Sequence, residues 1–520
     1  MPHSVSSEAA PSQEDSNMAD SQALPESSNP EPEQDSDAAR NDEVKVEADT
    51  GDGDNPELAE NVKIEDLFDD EDEDDEFPSS SAPEVKMEEA VEPPLQSAAP
   101  ARYSDPEIMY AFYQRLFPFR ALFQWLNHSP SPSNDFSHRE FAFTLSNSAY
   151  LRYQAFPTAD LLRKEVLRLN PSRFEIGPVY TTNPRERKTL RKSSAFRPLA
   201  KELVFDIDLT DYDEIRTCCD EANICHKCWS FITMAIKVID GALRDDFGFK
   251  HIMWVYSGRR GAHAWICDRR AREMEDPKRR AIAGYLELIK GGGQGSAKKV
   301  NVKRPLHPHV ARSLDILKEH FQSDILSVQD PWQSEEKSER LLQLLPDKTL
   351  NESLRKKWDA APGRSSASKW ADIDSLAKTG ASRSLDGKAL LEAKQDIVLE
   401  YTYPRLDVEV SKKLIHLLKS PFVIHPGTGR VCVPIDTRKA DEFDPLGVPT
   451  VTELLAEIDA WDKDHPRDSQ EEESKRIQDY EKTSLKPYVD YFKGFVGALM
   501  KDEKVAKRER EEVNGDPMEF

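Results

Sequence analysis

The segment Val204–Leu209, VFDIDL, constrains the fold most, because it alternates large apolar residues with aspartates. Successive side chains of a β-strand point to opposite faces, so Phe205 and Ile207 share one face while Asp206 and Asp208 share the other. The two aspartate Cα atoms would then lie about 6.5–7 Å apart, close enough to hold the same divalent ions. Neighbouring carboxylates repel each other unless water or a cation compensates them. The segment therefore predicts a strand whose polar face is either a metal site or a solvated surface.

A second segment, RLDVEV at residues 405–410, repeats this alternation and predicts another strand, with Asp407 and Glu409 on its polar face. If the two strands are neighbours, Asp407 joins the first pair and three carboxylates converge. Such a set is typical of two-metal phosphoryl-transfer sites. Asp211 and Asp213 follow the first strand, where turn formation accounts for them.

A glycine-flanked basic segment, YSGRRGAHAW, contains Ser257, Arg259 and Arg260, followed by His263. Glycines allow tight turns and close approach to a ligand, and guanidinium groups match phosphate oxygens with two hydrogen bonds each. An ordinary hairpin tip with arginines is the alternative. Further donors come from HLLKSPFVIHPGTGR, namely His416, Lys419 and His425. Metal-binding acids and a triphosphate-binding loop in one chain are what nucleotidyl transfer requires.

Four of the six cysteines fall within CCDEANICHKC: Cys218, Cys219, Cys225 and Cys228. This spacing favours a closed, tetrahedral structural zinc site over a disulfide framework or an incidental cluster. His226 could replace one of the adjacent cysteines as a ligand. Only Cys267 and Cys432 remain, so the chain cannot hold an additional iron–sulfur cluster on four cysteines.

Charged residues are distributed unevenly along the chain. Residues 1–100 contain 31 acidic and 4 basic side chains and only 13 Leu, Ile, Val or Phe, whereas the other 420 residues have a net charge of +2. The first part cannot bury enough apolar surface to fold, so residues 1–102 are predicted to be a disordered acidic tail. The near-neutral remainder is compatible with a phosphate-bearing partner. The tail lacks the pattern of a signal peptide, and no apolar run is long enough to span a membrane, which favours an intracellular protein.

Beyond the tail, the pattern predicts four regions. Helical spacing begins near Tyr103, and one helix is predicted to run through PEIMYAFYQRLFPFRALFQWLN until HSPSPSND ends it. REFAFTL (139–145) and KELVFDIDL (201–209) read as strands, and a helix follows the cysteines. HIMWVYS and AHAWICD predict a hairpin around GRRG. We expect a first core segment at 103–290, with its zinc motif at 218–228, and then an inserted helical segment at 291–400. A second core segment follows at 401–460, with strands in YTYPRLDVEV (401–410) and GRVCVPID (429–436). The last region is a charged C-terminal extension at 461–520.

Several motifs occur in the order seen in one family: HREFAFTL, LRYQAF, ELVFDIDLTDYDE, the CC…C..CW cluster, YSGRRGAHAW and PRLDVEVSKKLIHLLKSPFVIHPGTGR. In them the chain resembles the catalytic small subunits of eukaryotic DNA primases, of the archaeo-eukaryotic primase family, over residues 103–450. The resemblance implies an α/β prim fold: mixed β-sheets flanked by helices, an inserted helical subdomain and a small zinc-binding motif. It also implies template-directed synthesis of short RNA primers from ribonucleoside triphosphates, that is, a nucleus-located DNA-directed RNA polymerase that initiates DNA replication.

The resemblance assigns roles to individual residues. Asp206, Asp208 and Asp407 would hold catalytic Mg²⁺ or Mn²⁺, and Glu140 in HREF matches a further active-site acid. The implied nucleotide contacts are Arg152, Ser257, Arg259, Arg260, His263, His416, Lys419 and His425, and the four clustered cysteines match the zinc ligands. The implied partners are a large primase subunit with an iron–sulfur cluster, the DNA polymerase α complex, a single-stranded DNA template and the RNA primer.

Other functions remain open on the sequence alone. A repair-type primase–polymerase shares the acids and the SGRRG-like loop, although the zinc cluster after the catalytic strand favours the replicative enzyme. A non-catalytic nucleotide-binding module would retain the loop, and a zinc hydrolase would need an open zinc position. In the tail, Lys45, Lys63 and Lys86 lie in V-K-x-E sequences that resemble attachment sites for a small ubiquitin-like modifier, or arise by chance in a Glu-rich segment. IEDLFDDEDEDDEF could dock a replisome partner, but solvation is the simpler interpretation.

Overall fold

The computed structural model describes residue 103 and residues 105–129, 131–290, 300–380, 382–465 and 477–514. All of these residues fall in one unit, Leu95–Phe520. The predictions on the acidic tail and on Lys45, Lys63 and Lys86 lie outside the described residues.

Two antiparallel sheets and one short parallel pair contain all the strands of the described residues. Sheet 1 has the order β10-β3-β1-β2, with β4 also paired to β3, and sheet 2 has the order β11-β6-β7-β5; β8 and β9 run parallel. The strands are β1 Arg139–Thr144, β2 Tyr150–Gln154, β3 Arg173–Tyr180, β4 Pro198–Ala200, β5 Leu203–Asp208, β6 Ile252–Tyr256, β7 Gly261–Ile266, β8 Ile289–Lys290, β9 Arg405–Leu406, β10 Leu418–Lys419 and β11 Pro434–Ile435.

Helices surround these sheets and fill the segment between β8 and β9. They are α1 Pro106–Arg115, α2 Phe119–Asn127, α3 Asn134–Ser137, α4 Ala159–Leu169, α5 His226–Asp245, α6 Arg269–Arg272, α7 Asp276–Leu286, α8 Pro308–His320, α9 Glu335–Leu344, α10 Lys348–Asp359, α11 Ser366–Lys378, α12 Gly387–Thr402, α13 Glu409–Lys412, α14 Val451–Asp464 and α15 Lys486–Asn514. A π-helix, Phe321–Gln329, continues α8. The α/β fold class is therefore confirmed. No helix in the described ranges combines the length and apolarity needed to cross a bilayer.

The predicted strand VFDIDL is β5, and the hairpin around GRRG is formed by β6 and β7. The apolar face of β5 is fully buried, including Phe205 and Ile207. On its other face, Asp206 pairs across the ladder with His263 of β7. The two-residue alternation thus places the aspartates beside the basic hairpin, because one face of the sheet is occupied by the core.

An aromatic cluster joins sheet 2 to the C-terminal helix. Trp125 of α2 contacts Trp265 of β7 and Phe492 of α15, with ring centroids 5.3 and 5.8 Å away. Val489, Val496 and other residues three or four positions apart on α15 are buried. The region predicted as a charged extension therefore contributes a helix to the hydrophobic core, because its apolar residues recur at helical spacing between the charges.

Three local predictions are wrong. The stretch at 401–410 is not one strand: α12 continues to Thr402, β9 has two residues, and α13 begins at Glu409. Within 429–436 only β11 belongs to a ladder, and the rest is held by isolated bridges such as that between Ile424 and Val431. The first helical stretch is broken before Pro118 into α1 and α2, since proline at this point interrupts the helical hydrogen bonds. Burial of α12 outweighs the β-propensity of its last residues.

Candidate active site

The end of β5 and residue 407 bring three aspartates together. Asp407 forms an isolated antiparallel bridge with Asp206, and its backbone N–H donates to the Asp206 carbonyl at 3.2 Å. Asp208 lies two residues further along β5 on the same face as Asp206. Glu409, predicted to share this face, instead begins α13 and pairs with Lys412 at 2.6 Å. The structure therefore joins two distant segments of the chain at one carboxylate cluster.

Asp208 also shapes the backbone that follows it. One carboxylate oxygen accepts hydrogen bonds from the backbone N–H and the hydroxyl of Thr210, both at 2.9 Å, and so caps the 3-10 helix Leu209–Tyr212. The other oxygen lies 2.7 Å from Nε of Arg260. A capped carboxylate of this kind has few conformations open to it, which keeps it aligned with Asp206.

Electrostatics at the cluster favour a cation. The pKa of Asp206 is raised to about 8, first by its removal from water and then by the negative charges of Asp208 and Asp407. Removal from water also raises the pKa of Asp407, although the hydrogen bond that its carboxylate accepts from the Glu409 backbone N–H opposes this effect. Three hard oxygen donors that repel one another are the ligand type that Mg²⁺ and Mn²⁺ prefer. The chemistry of these donors therefore fits a divalent ion, but among the described residues only the cysteine cluster already places all of its ligand atoms within 4.8 Å of one another.

The tip of the β6–β7 hairpin turns tightly and places Arg260 beside Asp208. The Ser257 N–H donates to the Gly261 carbonyl at 2.9 Å, and the Gly261 N–H donates to Oγ of Ser257 at 3.0 Å. Gly258 has a φ of +88°, a conformation that strongly favours glycine. A Cβ on Gly261 would lie 2.2 Å from the carbonyl oxygen of Ile207. Glycine is thus required at both positions, by backbone conformation at the first and by the close approach of β5 at the second.

Cationic and imidazole side chains face this tip from the segment after β9. Nζ of Lys419 donates to the Ser257 carbonyl at 2.8 Å, and Oγ1 of Thr428 donates to the Gly258 carbonyl at 2.6 Å. Burial lowers the pKa of His425 to about 3, and the positive charges of Lys419 and Arg259 add to this. Burial and Lys419 also lower the pKa of His263 to about 3. Both imidazoles are therefore neutral at physiological pH and can each donate one hydrogen bond to an anion.

His416 lies near a buried lysine. Its backbone carbonyl accepts a hydrogen bond from Nζ of Lys201, which is fully buried immediately before β5. Burial and the charges of Lys201, Arg152 and Lys413 lower the pKa of His416 to about 3. Burial likewise lowers the pKa of Lys201, to about 7. Lys201 thus ties the segment that contains His416 to the start of the aspartate strand.

Buried Glu140 and half-buried Arg152 form a second hydrogen-bonded network of the candidate site, in sheet 1. The Glu140 carboxylate accepts from Nε of Arg152, from the N–H of Tyr153 and from the hydroxyl of Tyr180, each at 3.1 Å. The charges that act most on Asp206 belong instead to Asp208, Asp407, Lys419 and Asp211. Glu140 therefore orients Arg152, whose charge reaches His416.

The four clustered cysteines meet directly before and at the start of α5. One sulfur from each of Cys218, Cys219, Cys225 and Cys228 lies within 4.8 Å of the others, and all four are free thiols. Zinc–sulfur bonds are about 2.3 Å long, so four sulfurs this close can surround one ion. His226, the alternative ligand, points to Asp444 at 2.9 Å. The cluster fits a closed zinc site with four cysteine ligands.

Sequence patterns did not indicate some members of the site. Thr210 contacts Asp208, Thr428 contacts the hairpin tip, and Lys201 contacts the segment that contains His416. Threonine and lysine at single positions have no distinctive spacing. Lys201 is the first residue of the predicted strand KELVFDIDL, and a lysine at the entry to a buried strand is the one signal that could have marked it.

Comparison with known proteins gives a consistent result. The family model described as DNA primase small subunit matches residues 205–437. The DNA primase small subunit of Schizosaccharomyces pombe is 54% identical over 424 residues, which cover 79% of this chain and 93% of the relative. That of Saccharomyces cerevisiae is 44% identical, covering 78% and 94%. That of Drosophila melanogaster is 37% identical, covering 82% and 99%.

Proposed function

This chain belongs to the DNA primase small-subunit family and has the catalytic role in priming DNA replication, and we propose that it acts as a DNA-directed RNA polymerase. The observation that supports the proposal most is the bridge between Asp206 and Asp407, because it unites the carboxylates of two segments beside a basic hairpin. An aspartate cluster next to phosphate-binding donors is suited to joining a nucleotide to a 3′-hydroxyl.

In this proposal Asp206, Asp208 and Asp407 hold Mg²⁺ or Mn²⁺. When bound, such ions increase the acidity of the attacking hydroxyl and stabilise charge on the leaving pyrophosphate. The protein's own part is to position the nucleotide. Its phosphate donors are the side chains of Ser257, Arg259, Arg260, His263, His416, Lys419 and His425.

The neutral state of the three histidines suits this role. Because the pKa values of His263, His416 and His425 are lowered to about 3, each ring keeps an N–H donor without adding charge. The guanidinium and ammonium groups then supply the positive charge that a triphosphate requires. Glu140 is a positioning residue that fixes Arg152 near His416.

We assign zinc to the four-cysteine cluster as a structural ion that holds the segment after β5 against α5. The chain works with other primase components on template DNA. We assign an iron–sulfur centre to the large subunit rather than to this chain, because Cys267 and Cys432 are both buried at separate places, against Trp125 and the Ser257 carbonyl. Association with the DNA polymerase α complex and residence in the nucleus complete the proposal.

Primer synthesis on poly(dT) with ATP and Mg²⁺ or Mn²⁺ tests the function. We expect wild type to make short RNA, and Asp206→Asn/Asp208→Asn to lose at least 1,000-fold in rate. The matched control is Asp315→Asn/Asp359→Asn, which removes the same charge from exposed positions of α8 and α10 and should leave synthesis unchanged.

Circular dichroism and zinc content establish that the variants are folded. Near-normal synthesis by a folded Asp206/Asp208 double variant would overturn the metal assignment. Absence of synthesis by folded wild type, alone and with the large subunit, would overturn the enzyme assignment.

A further inference from the structure

The loop between β3 and β4, residues 181–197, has a strongly positive sequence that the proposed chemistry does not use. It contains six basic residues, Arg185, Arg187, Lys188, Arg191, Lys192 and Arg197, and one acid, Glu186. By contrast, the chain after residue 100 has a net charge of only +2. We call residues 181–197 the basic loop.

Most of the positive charge in the basic loop has no counterion. Lys188, Arg191, Lys192 and Arg197 are exposed, and none lies within 4.0 Å of a carboxylate in the ranges that the structure describes. Arg185 contacts Glu165 at 3.7 Å. Exposed lysines are common, but four neighbouring cations without a partner create a local positive potential that attracts polyanions.

The basic loop is held in place at its base. The Thr181 N–H donates to the Arg197 carbonyl at 3.1 Å, and the Phe196 ring stacks on Tyr180 with centroids 4.0 Å apart and planes 7° apart. The Arg187 guanidinium lies over the Tyr153 ring, 3.9 Å from its centroid. Two 3-10 helices, Pro184–Thr189 and Ser193–Ala195, order the part between. The cations are thus presented on an ordered platform.

This platform is continuous with the candidate active site. Tyr153 and Tyr180, which pack against the loop, both donate to the Glu140 carboxylate that orients Arg152. On its other side the loop leads through β4 and Lys201 into β5, the strand with Asp206 and Asp208. Tyr153 has a φ of +60°, a strained conformation for a tyrosine, which aims its N–H at Glu140.

We infer that the basic loop binds the phosphate backbone of the nucleic acid on which the site acts, the template–primer. The inference rests on the proposed function and adds a surface outside the reacting centre. A repeating polyanion matches several cations on one ordered loop beside the site of nucleotide addition. Contacts of this kind hold the substrate without reading its sequence, as a primase on varied templates requires.

The test is the affinity of full-length protein for a fluorescein-labelled DNA template annealed to a short RNA primer, measured by anisotropy between 50 and 200 mM NaCl. The variant is Lys188→Ser/Arg191→Ser/Lys192→Ser. The matched control, Lys348→Ser/Lys356→Ser/Arg383→Ser, removes two lysines and one arginine from exposed positions that also lack an ion pair among the described residues.

We expect the loop variant to bind about 10-fold more weakly at 50 mM NaCl. The slope of log K against log salt should fall by roughly 2, since each lost phosphate contact removes about 0.7–0.9. The control should match wild type, and ATP binding should be unchanged in both. Equal affinity and slope for the loop variant and the control would overturn the inference, whatever the aspartate variants do in primer synthesis.

A second probe separates nucleic acid from an acidic protein partner. It is a labelled peptide with the sequence of residues 60–77 of this chain, ENVKIEDLFDDEDEDDEF. If the loop variant loses binding of this peptide while it keeps wild-type affinity for the template–primer, the inference is overturned and the loop binds an acidic segment.

Discussion

Arg260 forms an ion pair with Asp208, with Nε and Oδ2 2.7 Å apart and each side chain about one-third exposed. Arg260 is a proposed phosphate donor and Asp208 a proposed metal ligand. Arg260 therefore lies where the metal ion would bind Asp208, and Asp208 lies where the phosphate would bind Arg260. Entry of a metal ion at Asp208 and of a triphosphate at Arg260 must break this contact. In this proposal the ion pair therefore couples the binding of the metal ion to the binding of the nucleotide triphosphate.

Replacing Arg260 should separate these events. In Arg260→Ala the Asp208 carboxylate loses its competitor, so Mn²⁺ binding without nucleotide should tighten about 5-fold, as expected for an ion pair worth up to about 1 kcal/mol. ATP binding should weaken at least 10-fold because a guanidinium donor is lost. Electron paramagnetic resonance of free Mn²⁺ measures the first effect and calorimetry the second. Arg438→Ala, which breaks an exposed pair with Asp436, is the control. Weaker Mn²⁺ binding by Arg260→Ala would contradict the coupling.

Adding one methyl group at the hairpin should disrupt the site. In Gly261→Ala the new Cβ would meet the Ile207 carbonyl at 2.2 Å, and backbone on both strands must move. We expect a loss of about 2–3 kcal/mol in the free energy of unfolding and severely reduced synthesis. Urea denaturation measures the first quantity. Gly284→Ala, where nothing lies within 4 Å of the added atom, should be neutral or up to about 1 kcal/mol stabilising because α7 gains an alanine.

Zinc content should depend on the clustered cysteines alone. Cys225→Ser removes one of four converging sulfurs, so purified protein should contain much less than one zinc per chain and should unfold at lower temperature. Cys267→Ala, at a buried cysteine outside the cluster, should keep one zinc per chain even if it is less stable. Metal analysis by mass spectrometry decides between them. Full zinc occupancy in folded Cys225→Ser would exclude the four-cysteine assignment.

Acid should destabilise the helical segment through His309. Burial lowers the pKa of this residue from 6.5 to about 4. Between these two pH values the unfolded chain binds a proton at His309 and the folded chain does not. The contribution of His309 to the free energy of unfolding is therefore fully present above pH 6.5 and is lost as the pH drops toward 4. The loss due to His309 should be about 2 kcal/mol between pH 7.5 and pH 5.

Denaturation of His309→Gln at both pH values should show a fall that is smaller than in wild type by this amount. Tyr403→Phe removes the hydroxyl 2.7 Å from Nε2 of His309 but keeps the buried imidazole. It should lower stability at both pH values and retain the full fall. An unchanged pH dependence in His309→Gln would show that other groups cause the acid sensitivity.

Short-range pattern was a good guide wherever one face of an element is buried. The alternation in VFDIDL located β5 and its aspartates, and the two runs around GRRG located the hairpin, because the period of two follows directly from the pleat of a strand. The same rule failed at residues 405–410. Packing extends α12 to Thr402 and α13 begins at Glu409, so only the two residues of β9 are left as a strand. Asp407 is nevertheless beside Asp206, through a single bridge rather than a ladder.

Contacts between distant segments were beyond local pattern. Nothing in HREF or LRYQ shows that Glu140 is enclosed by Arg152, Tyr153 and Tyr180, since those contacts depend on how β1, β2 and β3 pair. The Arg260–Asp208 pair likewise depends on the register of β5 against β7. Likeness to a family assigned roles to these residues, but only the fold shows which of them touch.

The bridge between Asp206 and Asp407 also has a consequence for how the protein is made. During synthesis the ribosome delivers Asp206, Asp208 and the hairpin long before the helical segment and residue 407 emerge. A nascent chain therefore has two of the three carboxylates and lacks Lys419 and His425, so it cannot assemble the centre. Contacts this far apart in sequence also form slowly, because a long loop must close first. The catalytic centre can thus form only late in synthesis, after nearly all of the residues of the fold have been made.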